Sequence, residues 1–245
     1  MAARIVVISD VHGSLAALEA VIADLNQIAP DQVVHGGDLA QAGPRPAEVV
    51  DMIRALGWPG VVGNTDELYW RPDRFAEQIA KAPKLLPLLR IAFEEFAPAT
   101  SAMLGPDRID WLRSLPAEWQ HDGLTVLHAR PGDLWRAPMP DADEREFLDA
   151  YGPLGSLVVY GHIHRPFVRR FPGLTVANSG SVGSPYDGDW RASYLVITDG
   201  RPEIRRVEYD LDREIADLHA VGYPRAGWLA EIQKRGTYVP PEGSG

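Results

Sequence analysis

Seven side chains able to ligate a metal stand just beyond apolar runs of this sequence: Asp10, His12, Asp38, Asn64, His128, His162 and His164. The densest occurrence is Val159-Tyr160-Gly161-His162-Ile163-His164-Arg165-Pro166, in which two histidines are separated by one residue. Where a strand opens into a loop, alternate side chains point the same way, so His162 and His164 can converge on one point. Neutral imidazole is the commonest metal ligand. Taken alone the pair also fits two ordinary loop histidines, so the remaining residues decide.

One six-coordinate ion would not need seven protein ligands and would leave no place for a substrate, whereas two ions would use the set. A carboxylate shared between them, most naturally Asp38 in the middle of the set, would hold them about 3.5–4 Å apart, as in two-metal hydrolytic sites. A hydroxide between such cations is ionised near neutral pH and can attack phosphorus in line. No side-chain nucleophile is then required, in keeping with a chain that has no cysteine and no evident Ser-His-Asp order. The lack of cysteine excludes disulfides and thiolate sites, so a metal must sit on oxygen and nitrogen, which suits Mn²⁺, Fe, Zn²⁺, Co²⁺ or Ni²⁺ about equally. The formal charge of -10 argues against general affinity for nucleic-acid backbone or an anionic membrane. An anionic substrate would need local positive charge, which bound cations provide.

The 245 residues, 45% hydrophobic and 24% charged, predict one soluble domain over residues 1–239 with an insertion. Residues 240–245 have the composition of a disordered tail. The run Ile5-Val6-Val7-Ile8 is too short for a signal-peptide core, and the apolar stretch over 85–93 is interrupted by Pro87 and Arg90, so a cytoplasmic location without membrane spans is expected.

A repeating unit of strand, polar tip and helix must position the seven residues. Residues 4–9 read as a buried strand leading into Asp10-Val11-His12-Gly13, after which Ser14 can cap a helix with Leu15, Leu18, Val21, Ile22 and Leu25 on one face. Ligands of open α/β sheets bind beyond the carboxyl ends of strands, which is where Asp10 and His12 fall; the other reading has Asp10 satisfying turn amides and His12 exposed. Residues 32–35 form a second strand before Gly36-Gly37-Asp38, with His35 read as packed or hydrogen-bonded, and a helix follows over 47–56. A third strand, Gly60-Val61-Val62, ends in Gly63-Asn64-Thr65-Asp66.

From 67 to 120 the period is helical, with helices over 73–81, 84–96 and 107–115 broken by Pro83, Pro98 and Pro116 and with aromatics that mostly form their own core. The sheet pattern resumes over 124–127, ending in His128. An acidic helix over 141–150, a strand over 156–160, hairpins over 167–177 and 194–209, and helices over 212–219 and 227–235 complete the chain. The small-residue loop 178–185 reads as a tight connection, with phosphate binding by its amides as the alternative.

Ser9-Asp10-Val11-His12-Gly13, Gly37-Asp38, Gly63-Asn64-Thr65-Asp66, His128 and Gly161-His162-Ile163-His164 follow in order the motifs of the calcineurin-like metallophosphoesterase superfamily, which the chain resembles over residues 4–209. The resemblance is closest to a small bacterial branch ending in a loop similar to 178–189. It implies a four-layer α-β-β-α sandwich of two mixed β-sheets with a helical cap over about 67–120. By motif, Asp10, His12 and His164 would bind one metal and Asn64, His128 and His162 the other, with Asp38 bridging.

Two departures bear on the substrate. Many family members carry histidine after the motif asparagine, where it protonates the leaving group; here that position is Thr65, whose hydroxyl is no useful acid at neutral pH. The arginine common in the protein-phosphatase branch after its Gly-Asp motif is absent, leaving Arg45 and Arg130 as candidates to hold a phosphate oxygen. A phosphodiester or nucleotide-type phosphoanhydride, whose leaving group departs with less proton assistance, is therefore the expected small substrate. The alternatives are a broad or protein-directed phosphomonoesterase and a metal-stabilised binding module without turnover.

Overall fold

The computed structural model describes residues 4–241. Of the segment expected to be a disordered tail, 242–245 lie outside the described residues.

β-Branched and apolar residues drive the first strand, β1 (Arg4–Ile8), which passes through the tip at Asp10 into α1 (Leu15–Ile28) and then β2 (Gln32–His35) and α2 (Pro46–Leu56). The segment expected to be a cap contains α3 (Arg74–Lys81), α4 (Leu86–Arg90), α5 (Ala97–Leu104) and α6 (Pro106–Arg113). There follow β3 (Glu118–His121), β4 (Leu124–Leu127), α7 (Glu144–Tyr151), β5 (Leu157–Tyr160), β6 (Phe167–Phe171), β7 (Leu174–Asn178), β8 (Ala192–Thr198), β9 (Arg201–Val207), α8 (Leu211–Ala220) and α9 (Ala226–Arg235). One sheet has the order β2-β1-β8-β9 and the other β3-β4-β5-β7-β6. Both are mixed: β1 is parallel to β2 and antiparallel to β8, while β4, β5 and β7 are parallel and β3 and β6 antiparallel at the edges.

The alternation of side chains along each strand makes the layers. Val7, Val34, Leu195 and Ile197 of the first sheet meet Val126, Leu157 and Val159 of the second in a buried core between them. On β5 the neighbouring Val158 and Tyr160 point the other way, onto Phe147 and Tyr151 of α7. The far side of the first sheet packs Val6 and Ile8 against Leu18 and Val21 of α1 and Val50 and Ile53 of α2. The result is a four-layer α-β-β-α sandwich. No helix among the described residues is long and apolar enough to cross a membrane.

Four local expectations change. The third strand contracts to a single bridge, His35 to Gly60, because the next amide but one, that of Val62, bonds Pro116 O at 3.0 Å and draws the chain off the sheet. Pro98 does not stop a helix. Ile91–Phe96 is a π-helical segment in which the Ala97 amide bonds Ala92 O, and Pro98 then sits in the first turn of α5, where no amide is needed. Residues 118–121, expected at the end of a helical stretch, pair with β4 as an edge strand, because Trp119 finds the core between the sheets. Ser14 stands at the N-cap of α1 without a side-chain capping bond.

Instead Ser14 neighbours Glu214 of α8, whose carboxyl is fully buried. Its oxygens face the Ser14 hydroxyl and the Ala16 amide without closing a hydrogen bond to either. Burial pushes the carboxyl up to about 7, and the weaker pull of those two donors does not reverse it. The folded value lies above the ordinary 4.5, so the native state holds its proton longer and stability falls as pH rises from about 4.5 to 7, by about 3 kcal/mol. Glu214→Gln is expected to melt roughly 6–12 °C above the parent at pH 8 and level with it near pH 4.5. Parallel thermal melts at the two pH values check this; an equal gain at both would mean that ionisation is not the cause.

Candidate metal centre

The tips of both sheets converge through an uncommon backbone conformation. Asp10, His12, Asp38, His162 and His164 have φ of 55°, 52°, 54°, 65° and 56°, all left-handed. Such a residue costs of order 1–3 kcal/mol, with Asp and His among the types that tolerate it best. Backbone bonds lace the turns together. The amides of Asp10, His12 and Gly13 donate to Gly37, Asp38 and Leu39 at 3.0, 3.0 and 2.8 Å. From the other side Val182 and Gly183 donate to Ser9 O and Asp10 O at 3.0 and 3.1 Å, and Ser181 Oγ donates to Asp10 O at 2.6 Å. The loop 178–185 thus uses these amides to brace the first tip. Gly161 has no side chain for a steric reason, since a Cβ there would overlap Ser9 and the Asp10 carboxylate.

Each imidazole is oriented by a carbonyl. Nδ1 of His12, His128 and His164 lies 2.7, 2.8 and 2.5 Å from Gln41 O, Gly36 O and Ser184 O. With the proton donated there, each Nε2 presents a lone pair to the cluster. His162 is reversed: Nε2 faces Trp135 O at 3.1 Å and Nδ1 stands 2.9 Å from Asn64 Oδ1. That amide oxygen also lies 2.8 Å from His128 Nε2. His12 Nε2 and His164 Nε2 are 3.1 Å apart. Lone pairs facing one another at these distances repel unless a proton or a cation lies among them, and outward N–H donation to a carbonyl is how ligating histidines are held.

The carboxylates complete the set. Asp10 Oδ1 is 3.2 Å from His164 Nε2 and 3.9 Å from His12 Nε2. Asp38 Oδ2 is 3.8 Å from His12 Nε2, and Oδ1 is 3.6 Å from His128 Nε2. Two triads have donor atoms close enough for a shared cation: Asp10, His12 and His164, and Asp10, Asp38 and His128. An oxygen and nitrogen donor set of this kind fits a divalent first-row ion. The structure therefore brings all seven predicted residues together.

Burial acts against every charge here, and neighbours decide the outcome. Asp10 stays well below the usual carboxylate range because His164, His128 and His12 outweigh its desolvation. Burial, reinforced by His128, holds His162 down at about 4, and burial with His164 lowers His12. His128 goes up, since Asp38 and Asp10 overcome its burial. His35 is packed, with both ring nitrogens lacking partners among the described residues, and burial takes it to about 3.

Sequence reasoning assigned no role to Asp66, which is fully buried beneath the second tip. Its Oδ2 accepts from the Asp38 and Gly63 amides at 2.9 and 3.0 Å, and its Oδ1 accepts from Leu39 N at 3.1 Å. Burial and the neighbouring Asp38 push it up to about 7. Its place in Gly63-Asn64-Thr65-Asp66 was the available signal. Glu67 was likewise missed: it is buried and accepts from Trp135 Nε1 at 2.7 Å, fixing the residue whose carbonyl orients His162.

A cavity of about 330 Å³ opens from His12, Asp38, Asn64, His162 and His164 toward the cap. Thr65 lines it; its amide donates to Asp38 Oδ1 at 2.9 Å and its hydroxyl has no partner among the described residues. Arg45 does not line it. The guanidinium is held in a surface ion pair with Asp217 at 2.8 Å and Glu48 at 3.5 Å, so it is not the phosphate contact expected of it. Arg130 lines a separate recess of about 200 Å³ behind His128.

Asp66→Asn replaces an acceptor with a donor, so the three amides can no longer all be met and Asp38 loses its fixed direction. Affinity for Mn²⁺ should fall by about 10–100-fold with little loss of helix content. Calorimetric titration beside circular dichroism measures both; unchanged affinity would remove Asp66 from the account.

The comparisons agree with this geometry. Residues 3–200 match the calcineurin-like phosphoesterase superfamily domain. The chain is similar to an uncharacterised protein of Methanocaldococcus jannaschii, 30% identical over 250 residues that cover 93% of this chain and 96% of that one. It is also 30% identical over 168 residues to a probable cyclic nucleotide phosphodiesterase of Synechococcus, covering 61% of this chain and 64% of that protein. The crystal structure of a metallophosphoesterase from Sphaerobacter thermophilus superposes with a TM-score of 0.79 at 28% identity, over 97% of this chain and 100% of that one. Motif order, two-sheet scaffold and converging ligands lead to one conclusion: the chain belongs to the calcineurin-like phosphoesterase superfamily.

Proposed function

We propose that this centre holds two divalent cations and hydrolyses a small phosphodiester or nucleotide-type phosphoanhydride. The observation that carries the reading is the direction of Asp38, whose two oxygens face different imidazoles, Oδ2 toward His12 and Oδ1 toward His128. One carboxylate can then serve two cations, with Asp10, His12 and His164 completing one site and Asn64, His128 and His162 the other. Bound divalent cations supply the Lewis acid and the ionised water that such hydrolysis needs.

The chain's own residues do the positioning. Gln41, Gly36, Ser184 and Trp135 carbonyls fix the four rings, and Asp66 fixes the backbone beneath Asp38. The Thr65 hydroxyl can donate to a phosphoryl oxygen but is too weak an acid to protonate an alkoxide at pH 7. That favours esters and anhydrides with stable leaving groups; the name of the Synechococcus relative, a probable cyclic nucleotide phosphodiesterase, supports the phosphodiester class alone.

Asp38→Asn should lower kcat for a bis-aryl phosphodiester with Mn²⁺ by at least about a hundredfold. Full activity in that variant would remove Asp38 from the mechanism, whereas an inactive parent across several metals would favour a binding module. On a panel of bis-aryl diester, dinucleoside polyphosphate and phosphoserine peptide, the peptide should be slowest, and its fastest turnover would refute the preference. His162→Ala and His164→Ala should each retain about one ion per chain by elemental analysis, since each ring belongs to a different site. Retention of two ions by both variants would show the division to be wrong.

A further inference from the structure

The cavity that opens from the ligand cluster has two unlike halves. Its polar groups lie at the cluster: Thr65 follows Asn64, the Gln41 and Ser184 carbonyls accept from His12 and His164, and the Tyr186 ring stacks on His164 with centroids 4.4 Å apart. The other half is walled by Leu88, Leu89, Ala92 and Phe96 of the cap. Leu229 and Ile232 of α9 complete the apolar lining, with Leu229 in the same packed cluster as Phe96. Among the described residues lining the cavity there is no lysine or arginine.

The apolar walls are fixed by aromatic contacts, some of them among the lining residues themselves. Phe93 stacks on Trp135 at 5.8 Å, and Phe96 packs on Tyr223 and Trp228 at 5.5 and 6.1 Å. The Tyr223 hydroxyl accepts from Ala42 N at 2.9 Å and shares a hydrogen bond with Thr100 Oγ1 at 2.7 Å. The cap is thereby tied to the loop after Asp38, and a space of about 330 Å³ is preformed, at the small end of ligand-sized pockets.

We infer that this apolar half receives an uncharged alkyl or aryl arm esterified to the phosphate, so that the substrate is a phosphodiester with a hydrophobic arm and not a nucleotide polyphosphate. The inference rests on the hydrolytic reading of the cluster. Further phosphates would bring charges that no side-chain cation in the cavity meets. The polar edges of a base and the hydroxyls of a ribose would be desolvated against leucine and phenylalanine without partners. An alkyl or aryl group loses nothing on entry and gains by leaving water.

The full chain loaded with Mn²⁺ is assayed on p-nitrophenyl esters of methyl, butyl and octyl phosphate. The expected kcat/KM rises about fourfold for each methylene that is fully buried, and at least roughly a hundredfold from methyl to octyl. Ala92→Phe, which fills the apolar half, should cut the octyl to methyl ratio at least about tenfold. A flat series with turnover retained would overturn the inference and leave the proposed hydrolysis standing. Calorimetry of the same protein with methylphosphonate and octylphosphonate reads the pocket without turnover. Equal affinities would overturn the inference; tighter octyl binding with no hydrolysis of any ester would uphold the apolar pocket and overturn the hydrolytic reading.

Discussion

Convergence of the candidate ligand side chains depends on backbones that turn left-handed at Asp10, His12, Asp38, His162 and His164. At roughly 1–3 kcal/mol each, five such residues together rival the net stability of a typical domain, about 5–15 kcal/mol. Such turns persist only where surroundings over-determine them. The first tip is hydrogen-bonded to the second on one side and to the loop 178–185 on the other, so none of the three can relax without displacing its neighbours. Tight glycine packing at Gly161 and Gly63, against Asp10 and Asp38, belongs to the same constraint.

The two sheets divide six of the seven candidate ligands between them, Asn64 following the isolated bridge at Gly60. Asp10 and His12 follow β1 and Asp38 follows β2, in the first sheet; His128 follows β4, and His162 and His164 follow β5, in the second. The distance from Asp38 to His128 is consequently set by how Val7 and Val34 pack on Val126 and Val159, well below the site. A close-packed intersheet core acts as the spacer of the centre. Concentrating buried carboxylates and imidazoles there leaves lone pairs facing each other, a standing demand for positive charge in a chain whose net charge is -10.

Most of this was legible where the deciding interaction is local. β-Branched runs located β1, β2, β4 and β5, and the residues just past each strand were the side chains that the fold gathers, because a strand end fixes direction within a few residues. What was not legible depended on distant partners. Arg45 has the right chemistry for a phosphate contact, but its fate is decided by Asp217, 172 residues away in sequence. The contraction of the third strand turns on Pro116, the edge strand at 118–121 on a core built by other strands, and the role of Asp66 on amides of the neighbouring tip. Pro98 misled for a different reason: a proline stops a helix only where an amide is required, and the π turn before it removes that requirement.

That π turn has a geometric consequence for the cap. In an α-helix, residues three apart lie on one face and would anchor to a single neighbour. The wider coil over Ile91–Phe96 separates Phe93 from Phe96, sending the first to Trp135 beside the second sheet and the second to Tyr223 and Trp228 in the C-terminal helical region. A single turn of chain thus works as a two-point fastening across the mouth of the centre. Removing one residue from it would restore α geometry and swing one of the two aromatic anchors off its partner.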